Sequence, residues 1–268
     1  MKTPITYYGG KQRLLKYILP LVPKHTLYSE PFAGGGAVFF AKEPSEIEVL
    51  NDTNRQLMTF YEVAKSDYGK LRRKIDATLH SRESHRYAKI IYDNSRFFGK
   101  VDIAWSVWML TSCSFSSMLG GTYGYDKTRQ NTTRKFSRKR DSFTVEISKR
   151  LENVQLECRD AIGIIKGRDT KQAFFYCDPP YFNSDMGHYK GYTEGDFERL
   201  LKALAKIKGR FLLSSYPSPL LSDYIKDNGW HTVLIRKKCS VQVRGQKMKN
   251  EVLTANYPIG LDNKAESE

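Results

Sequence analysis

Along this chain the spacing of hydrophobic positions switches repeatedly between a helical and a strand period. KQRLLKYILPLV, residues 11–22, repeats at helical intervals and predicts a short amphipathic helix stopped at Pro20 and Pro23. TLYSEPF, residues 26–32, predicts a buried strand running straight into Gly34, Gly35 and Gly36. AVFFAK, residues 37–42, restarts as a helix, and IEVLND, residues 47–52, follows as a second strand ending in an acid. Strand, glycine turn, helix, strand is a βαβ unit of nucleotide-binding character.

Residues 54–119 break this alternation with helical patterns such as NRQLMTFYEVAK and AWSVWMLTS, and predict an inserted helical block. Its Trp105, Trp108 and Met109 recur at helical spacing and predict core. Residues 120–140, GGTYGYDKTRQNTTRKFSRKR, suit a hairpin or mobile loop. Alternation then returns with VQLEC, AIGIIK, AFFYCD, EGDFERLLKALAKI, RFLLSS, PLLSDYIKDN, HTVLIR and NEVLTANY. The order predicts an α/β fold with a parallel or mostly parallel sheet and covering helices, its halves separated in sequence by the insert.

Charge adds a partner. Lys plus Arg number 44 against 29 Asp plus Glu, a formal charge of +15, which belongs with a polyanion. Seven basic side chains and no acid fall in residues 127–140: Lys127, Arg129, Arg134, Lys135, Arg138, Lys139 and Arg140. Any one is read as a solvated charge, but as a group they predict phosphate contacts. Arg236, Lys237, Lys238, Arg244, Lys247 and Lys249 form a second basic stretch. No apolar run of about 18 residues predicts a membrane span. Cys113, Cys158, Cys177 and Cys239 are scattered, and the five histidines form no ligand pattern, so no metal is implied and a cytoplasmic setting is expected.

The glycine turn lacks the third glycine of a dinucleotide fingerprint and the Lys-Ser/Thr of a phosphate loop. What remains is a turn free of side chains, with Asp52 placed to accept hydrogen bonds from ribose hydroxyls. Taken alone, it reads equally as a plain strand-to-helix turn. Asp178-Pro179-Pro180-Tyr181, directly after the apolar AFFYC, is more specific. Two prolines stiffen the loop and remove two donors, so the carboxylate and carbonyls present acceptors only. An exocyclic amine is their complement, and Tyr181 offers a face on which a planar base stacks.

These segments together resemble the S-adenosylmethionine-dependent amino-methyltransferases, most closely the Dam-like adenine-N6 family. YYGGK at Tyr7 to Lys11 is similar to the family's aromatic-x-Gly-Gly-Lys segment, and EPFAGGG at Glu30 to Gly36 to its cofactor turn. LNDTN at Leu50 to Asn54 matches its ribose-binding acid, and RDA at Arg159 to Ala161 a further cofactor-side acid. DPPY is similar to its catalytic loop, and Arg244, Glu251, Asn256 and Tyr257 to its carboxyl-terminal strand region. Tyr7 stands where many relatives have Trp or Phe. The 120–140 segment does not match that of GATC-recognising members, so no recognition sequence is implied.

The resemblance implies a Rossmann-like methyltransferase sheet formed by residues 1–56 and 154–262, with residues 57–153 as a mostly helical target-recognition domain carrying a basic hairpin. It implies S-adenosylmethionine held by Tyr7, Lys11, Phe32, Gly34, Gly36, Asp52, Asp160 and Asp178. Asp178 and the Pro179 carbonyl would take the two N6–H bonds of an adenine turned out of double-stranded DNA, with Pro180 stiffening the loop and Tyr181 stacking on the base. Lys127, Arg129, Arg134, Lys135, Arg138, Lys139, Arg140 and Arg244 are the candidate DNA contacts. Restriction-modification, phage and housekeeping roles stay open, as does the oligomeric state. The alternatives are a cytosine-N4 or RNA amino-methyltransferase, or a catalytically silent DNA-binding protein.

Overall fold

The computed structural model describes residues 1–128, 130–183, 191–237 and 249–260. Its strands are β1 (Leu27–Glu30), β2 (Ile47–Asn51), β3 (Gln155–Glu157), β4 (Ala173–Cys177), β5 (Arg210–Ser215), β6 (His231–Lys237) and β7 (Lys249–Ala255). Its α-helices are α1 (Leu15–Ile18), α2 (Ala37–Ala41), α3 (Arg55–Ser66), α4 (Tyr68–Asp76), α5 (Arg82–Asp93), α6 (Lys100–Cys113), α7 (Asn131–Asp141), α8 (Val145–Leu151), α9 (Ala161–Arg168), α10 (Glu194–Leu204) and α11 (Pro219–Asn228). The chain divides into two compact units. One comprises Met1–Leu15, Ala33–Pro44 and Asp52–Cys158; the other comprises Lys16–Phe32, Ser45–Asn51 and Arg159–Glu268.

The second unit holds six strands of a seven-stranded sheet, in the order β2-β1-β4-β5-β7-β6. Leu27 of β1 lies opposite Ile47 of β2 and Ala173 of β4, both parallel, and Phe174 of β4 lies opposite Arg210 of β5, again parallel. β7 runs antiparallel between β5 and β6. Every residue of β1 and β4 is buried, the continuous burial of parallel strands covered on both faces. Phe175, Cys177, Phe197, Leu200, Leu201, Phe211, Leu213 and Trp230 form the core beneath α10 and α11. Thr193 and Asp196 close a capping box on α10. Ser218, Pro219 and the left-handed Gly229 bracket α11.

Chain order and sheet order diverge between β1 and β4. From β1 the path goes to β2 on one side, while β4 leads to β5 on the other. Ligands of open α/β sheets bind outside the carboxyl ends of the strands at such a switch point.

In the first unit, α6 is buried over Ala104 to Cys113 and packs against α3, α4, α5 and α7. A helix apolar on all sides needs such a jacket. Trp105, Trp108 and Met109 lie in this core, and Trp105 Nε1 donates to Thr78 Oγ1 at 2.7 Å. The basic segment departs from expectation: residues 131–141 form a helix and not a hairpin or mobile loop. Two features drive this. The Asp126 carboxylate accepts from Thr132 N at 2.7 Å and Thr133 N at 3.0 Å, satisfying amides that a helix start leaves unpaired, and Phe136, 2% exposed, anchors the inner face. Before α7, among the described residues, the pairing is a single antiparallel bridge, Ser114 with Tyr123. Among the described residues no helix is long and apolar enough to cross a membrane, and no His/Cys/Asp/Glu group is arranged to hold a metal.

Candidate active site

The glycine turn belongs to the first unit. Gly34 and Gly36 sit at φ +46° and +64°, left-handed conformations that L side chains rarely adopt. A Cβ on Gly34 would lie 3.1 Å from the Tyr7 ring, and one on Gly35 would lie 2.9 Å from the Tyr7 Cβ. Tyr7 therefore packs directly on the turn. Gly34 N donates to Asp52 Oδ2 at 3.0 Å, Asn54 N donates to Asp52 Oδ1 at 2.9 Å, and Tyr61 OH donates to the Gly34 carbonyl at 2.7 Å. Each Asp52 oxygen thus holds one backbone amide and keeps a lone pair. Burial pushes the Asp52 carboxyl above its ordinary value, against the pull of those two amides. Lys11 is 5% exposed, and its ammonium donates to the Gly9 carbonyl at 3.2 Å. Gly10 N closes the YYGGK turn on Tyr7 O at 3.0 Å.

In the second unit, fully buried Asn51 at the end of β2 ties two segments together. Its Nδ2 donates to the Pro31 carbonyl at 2.8 Å and the Arg159 carbonyl at 3.0 Å, and its Oδ1 accepts from Arg159 N at 2.9 Å. Pro31 follows β1 and leads along the chain to the glycine turn; Arg159 precedes Asp160. Glu30, 2% exposed at the end of β1, accepts from Tyr28 OH at 2.6 Å. The two residues are two apart and so share one face of the strand. Burial, then Glu30, raises the Tyr28 hydroxyl well above its usual pKa.

Asp178, Pro179, Pro180 and Tyr181 leave the carboxyl end of β4 beside the switch point. The Tyr181 hydroxyl donates to Glu251 Oε1, lies 3.2 Å from Ser214 Oγ, and lies 3.3 Å from Asp178 Oδ1. Ser214 Oγ also donates to Glu251 Oε1, at 2.7 Å. The Tyr181 ring meets Tyr216 edge-on, with centroids 4.4 Å apart. Pro180, Tyr181, Phe182, Asn183, Phe197, Ser215 and Tyr216 line a cleft. The corner can accept protons from an amine at Asp178 and at proline carbonyls, next to a fixed aromatic ring.

Other predicted residues take different places. The Asp160 carboxylate caps α9, accepting from Ile162 N at 3.0 Å and Gly163 N at 3.3 Å, and lies 3.6 Å from Arg199. Phe32 packs edge-on against Tyr192, with centroids 6.4 Å apart. Along α7, Arg134, Lys135 and Arg138 are exposed and share one face, and Lys127 is exposed before it. Lys139 follows Phe136 by three residues and turns inward, its ammonium donating to the Thr111 carbonyl at 2.8 Å. Burial lowers that ammonium to about 8. Arg140 is half-buried and lies 3.6 Å from Asp141. Arg129 and Arg244 lie outside the described residues.

Sequence reasoning named Glu251 and Asn51 only as parts of the segments that carry the family resemblance, without a partner for either, and did not single out Ser214 or Tyr61. An acid inside the apolar run NEVLTANY was the available signal for Glu251, since alternation puts it on a buried face. It also missed Phe115, 65% exposed and followed by Ser116 and Ser117 at φ +54° and +57°. Two consecutive non-glycine residues in that region are strained, and nothing in the residue types announces it.

Comparison with known proteins places the chain in a family. Residues 7–235 match the family described as D12 class N6 adenine-specific DNA methyltransferase. A Type II methyltransferase of Lactococcus lactis subsp. cremoris, M1.LlaDCHI, is 27% identical over 274 residues, covering 93% of each chain. A Type II methyltransferase of Methanocaldococcus jannaschii, M.MjaIII, is 26% identical over 293 residues, covering 96% of this chain and 99% of that one. Among solved structures, a precorrin 8W decarboxylase of Methanobacterium thermoautotrophicum aligns over 95% of both chains with a TM-score of 0.41 and 11% identity. With a family match that runs over residues 7–235, through both the glycine turn and the Asp178-Pro179-Pro180-Tyr181 corner, the chain belongs to the D12 class N6 adenine-specific DNA methyltransferases.

Proposed function

We propose that this protein transfers a methyl group from S-adenosylmethionine to N6 of an adenine turned out of double-stranded DNA. The observation that carries the reading is Asp178-Pro179 at the carboxyl end of β4, next to β1 at the switch point, with Tyr181 held by Glu251 and Ser214. When bound, the cofactor supplies an electrophilic methyl carbon on a sulfonium centre. The residues present fit it: a glycine turn without side chains, and Asp52 with lone pairs left over for ribose hydroxyls. Tyr7, packed on the turn, and Lys11, buried beside Gly9, complete that side, with Phe32 and Asp160 as further contacts.

Asp178 accepts one N6–H and the Pro179 carbonyl the other, which frees the nitrogen lone pair for attack. The same acceptors stabilise the positive charge that develops on nitrogen. Asp178 need not be a strong base, because the methylated ammonium is acidic and loses its proton afterwards. A base inside a duplex cannot reach this corner, so it must be extruded and stacked on Tyr181. Residues 57–153 serve as the recognition domain, with Arg134, Lys135 and Arg138 on phosphates and exposed Phe115 as an apolar wedge between base steps. Lys127 and Arg140 are flanking phosphate contacts, as are Arg129 and Arg244. The Type II names of the relatives accord with a restriction-modification role.

The test is base-resolved mapping of unmodified genomic DNA treated with protein and cofactor. N6-methyladenine in one sequence context is expected. Asp178→Ala should abolish transfer while DNA affinity stays within about threefold, because phosphate contacts supply most of the binding. N4-methylcytosine, or label entering RNA alone, would replace this reading with another acceptor.

A further inference from the structure

We infer that Arg82 is a specificity-determining residue: its guanidinium, held over the rings of Tyr123 and Tyr125, takes the O6 and N7 acceptors of a guanine in the DNA sequence that the protein methylates. This rests on the reading that residues 57–153 receive the DNA.

Arg82 opens α5 directly after the N-cap Ser81, and its side chain is exposed. Its Cζ lies 5.0 Å from the centroid of the Tyr123 ring and 5.5 Å from that of Tyr125. The two rings stack at 14°, with centroids 6.5 Å apart. Tyr123 is itself fixed. Its backbone bridges to Ser114, its hydroxyl donates to the His80 carbonyl at 3.4 Å, and the His80 ring centroid lies 5.2 Å from its own. Attraction to two aromatic faces restrains a long side chain before any ligand arrives, which lowers the entropy lost on binding.

The acids beside this stack are engaged elsewhere. Glu83, next to Arg82 in the chain, pairs with Arg86, whose Nε donates to Glu83 Oε1 at 3.1 Å. Asp126, next to Tyr125, accepts from Thr132 N and Thr133 N at the start of α7, and from Thr133 Oγ1 at 3.1 Å. Among the described residues Arg82 makes no hydrogen bond and no ion pair. A rigid fork of N–H donors is thus presented to whatever acceptor approaches the domain.

Two observations favour a base edge over a phosphate. Phe115 N donates to the Thr122 carbonyl at 2.8 Å and Ser114 bridges Tyr123, so exposed Phe115 and the Arg82 stack share one strip of paired backbone. Insertion of Phe115 between base steps would bring that strip against base edges. The second observation is chemical. A guanidinium offers donors only, and guanine alone presents two acceptors on its major-groove edge; adenine sets a donor beside its acceptor, thymine a methyl group, and cytosine a donor.

The test compares wild type with Arg82→Ala, Arg82→Lys and Tyr125→Leu by base-resolved mapping of methylated adenine in genomic DNA. Wild type should require a guanine at a fixed distance from the methylated adenine. Both Arg82 variants should relax the preference for that guanine by about tenfold to a hundredfold, with the rest of the context retained. Tyr125→Leu removes a ring that is 54% exposed, so the fold survives, and should relax the same guanine by a few-fold. It and Arg82→Lys decide the matter if Arg82→Ala does not fold. In single-turnover methylation of a duplex carrying 7-deazaguanine at that position, wild type should slow several-fold. Arg82→Ala should slow no further, because the hydrogen bond to N7 is already gone. A uniform loss in every context, with a salt slope lower by about one and rescue by Arg82→Lys, would make Arg82 a phosphate contact and overturn the inference. So would a methylated context without guanine, an unchanged guanine preference in Arg82→Lys and Tyr125→Leu, or 7-deazaguanine and Arg82→Ala losses that multiply. Wild-type protein that methylates no adenine would instead overturn the proposed function itself, a separate outcome.

Discussion

Asn51 offers a quantitative test of how the sheet holds its ligand edge. Asn51→Ala removes three hydrogen bonds, to the Pro31 carbonyl, the Arg159 carbonyl and the Arg159 amide, at 2.8, 3.0 and 2.9 Å. A typical intramolecular hydrogen bond contributes about 0.5–1.5 kcal/mol net, and a buried group left unpaired costs more. Pro31 is buried and bears that cost in full, whereas Arg159 is exposed and recovers part of its loss from water. The expected destabilisation is therefore about 2–3 kcal/mol.

Asn51→Asp sharpens the test. The carboxylate still accepts from Arg159 N, but it turns a buried negative charge toward two carbonyl oxygens and supplies no donor. It should be less stable than Asn51→Ala at neutral pH, with the gap closing as the pH falls and the carboxyl protonates. Urea unfolding followed by tryptophan fluorescence measures both, stability being read from the midpoint at constant slope. Because Pro31 leads into the glycine turn, both variants should also bind S-adenosylhomocysteine more weakly. A loss below about 1 kcal/mol for Asn51→Ala, or an Asp variant at least as stable as the Ala variant at neutral pH, would refute the reasoning.

Other expectations concern the cofactor side and the DNA side. Burial raises the Asp52 pKa, so on acidification it takes up a proton earlier than an ordinary aspartate and loses acceptor capacity toward Gly34 N and Asn54 N, and toward the ribose of the proposed cofactor. Calorimetric affinity for S-adenosylhomocysteine should fall through that window. The stability term has the opposite sign, present at low pH and lost as pH rises through the raised pKa, because the folded state binds this proton more tightly. An affinity flat across the window would contradict this. Arg134→Ala and Arg138→Ala should each reduce the salt slope of DNA binding by about one, while Lys139→Met should leave it unchanged, since its ammonium already serves Thr111. An equal change for Lys139→Met would show that it reaches DNA. Phe115→Ala should reduce the 2-aminopurine fluorescence gained on target-base extrusion by several-fold while nonspecific DNA affinity stays similar; an unchanged signal would remove the wedge.

Much of this was readable from one dimension. Strand period, glycine turn and acid give the βαβ start, and the stiff Asp-Pro-Pro segment after AFFYC, with its carboxylate and two prolines that carry no N–H, needs only its residue types to suggest an amine ligand. Chemistry local to a few neighbouring residues is legible because φ restriction, donor loss and side-chain period are properties of the peptide itself. The basic segment was misread as loop because its helix depends on Asp126 reaching the first amides and on Phe136 finding a core, and both are partner effects. Lys139 turned inward for the same reason, although its charge reads like that of its neighbours.

The sequence by itself determined the βαβ start, the later alternation of strands and helices, the positive charge and the proline-stiffened Asp178-Pro179-Pro180-Tyr181 segment after a buried strand. Only the tertiary structure decided that β7 inserts antiparallel beside β5, bringing Glu251 and Ser214 to the Tyr181 hydroxyl, and that Asn51 binds Pro31 to Arg159 across more than a hundred residues of chain. Hydrogen bonds between distant segments leave no periodic trace, since which donor meets which acceptor is set by strand pairing and burial and not by distance along the chain.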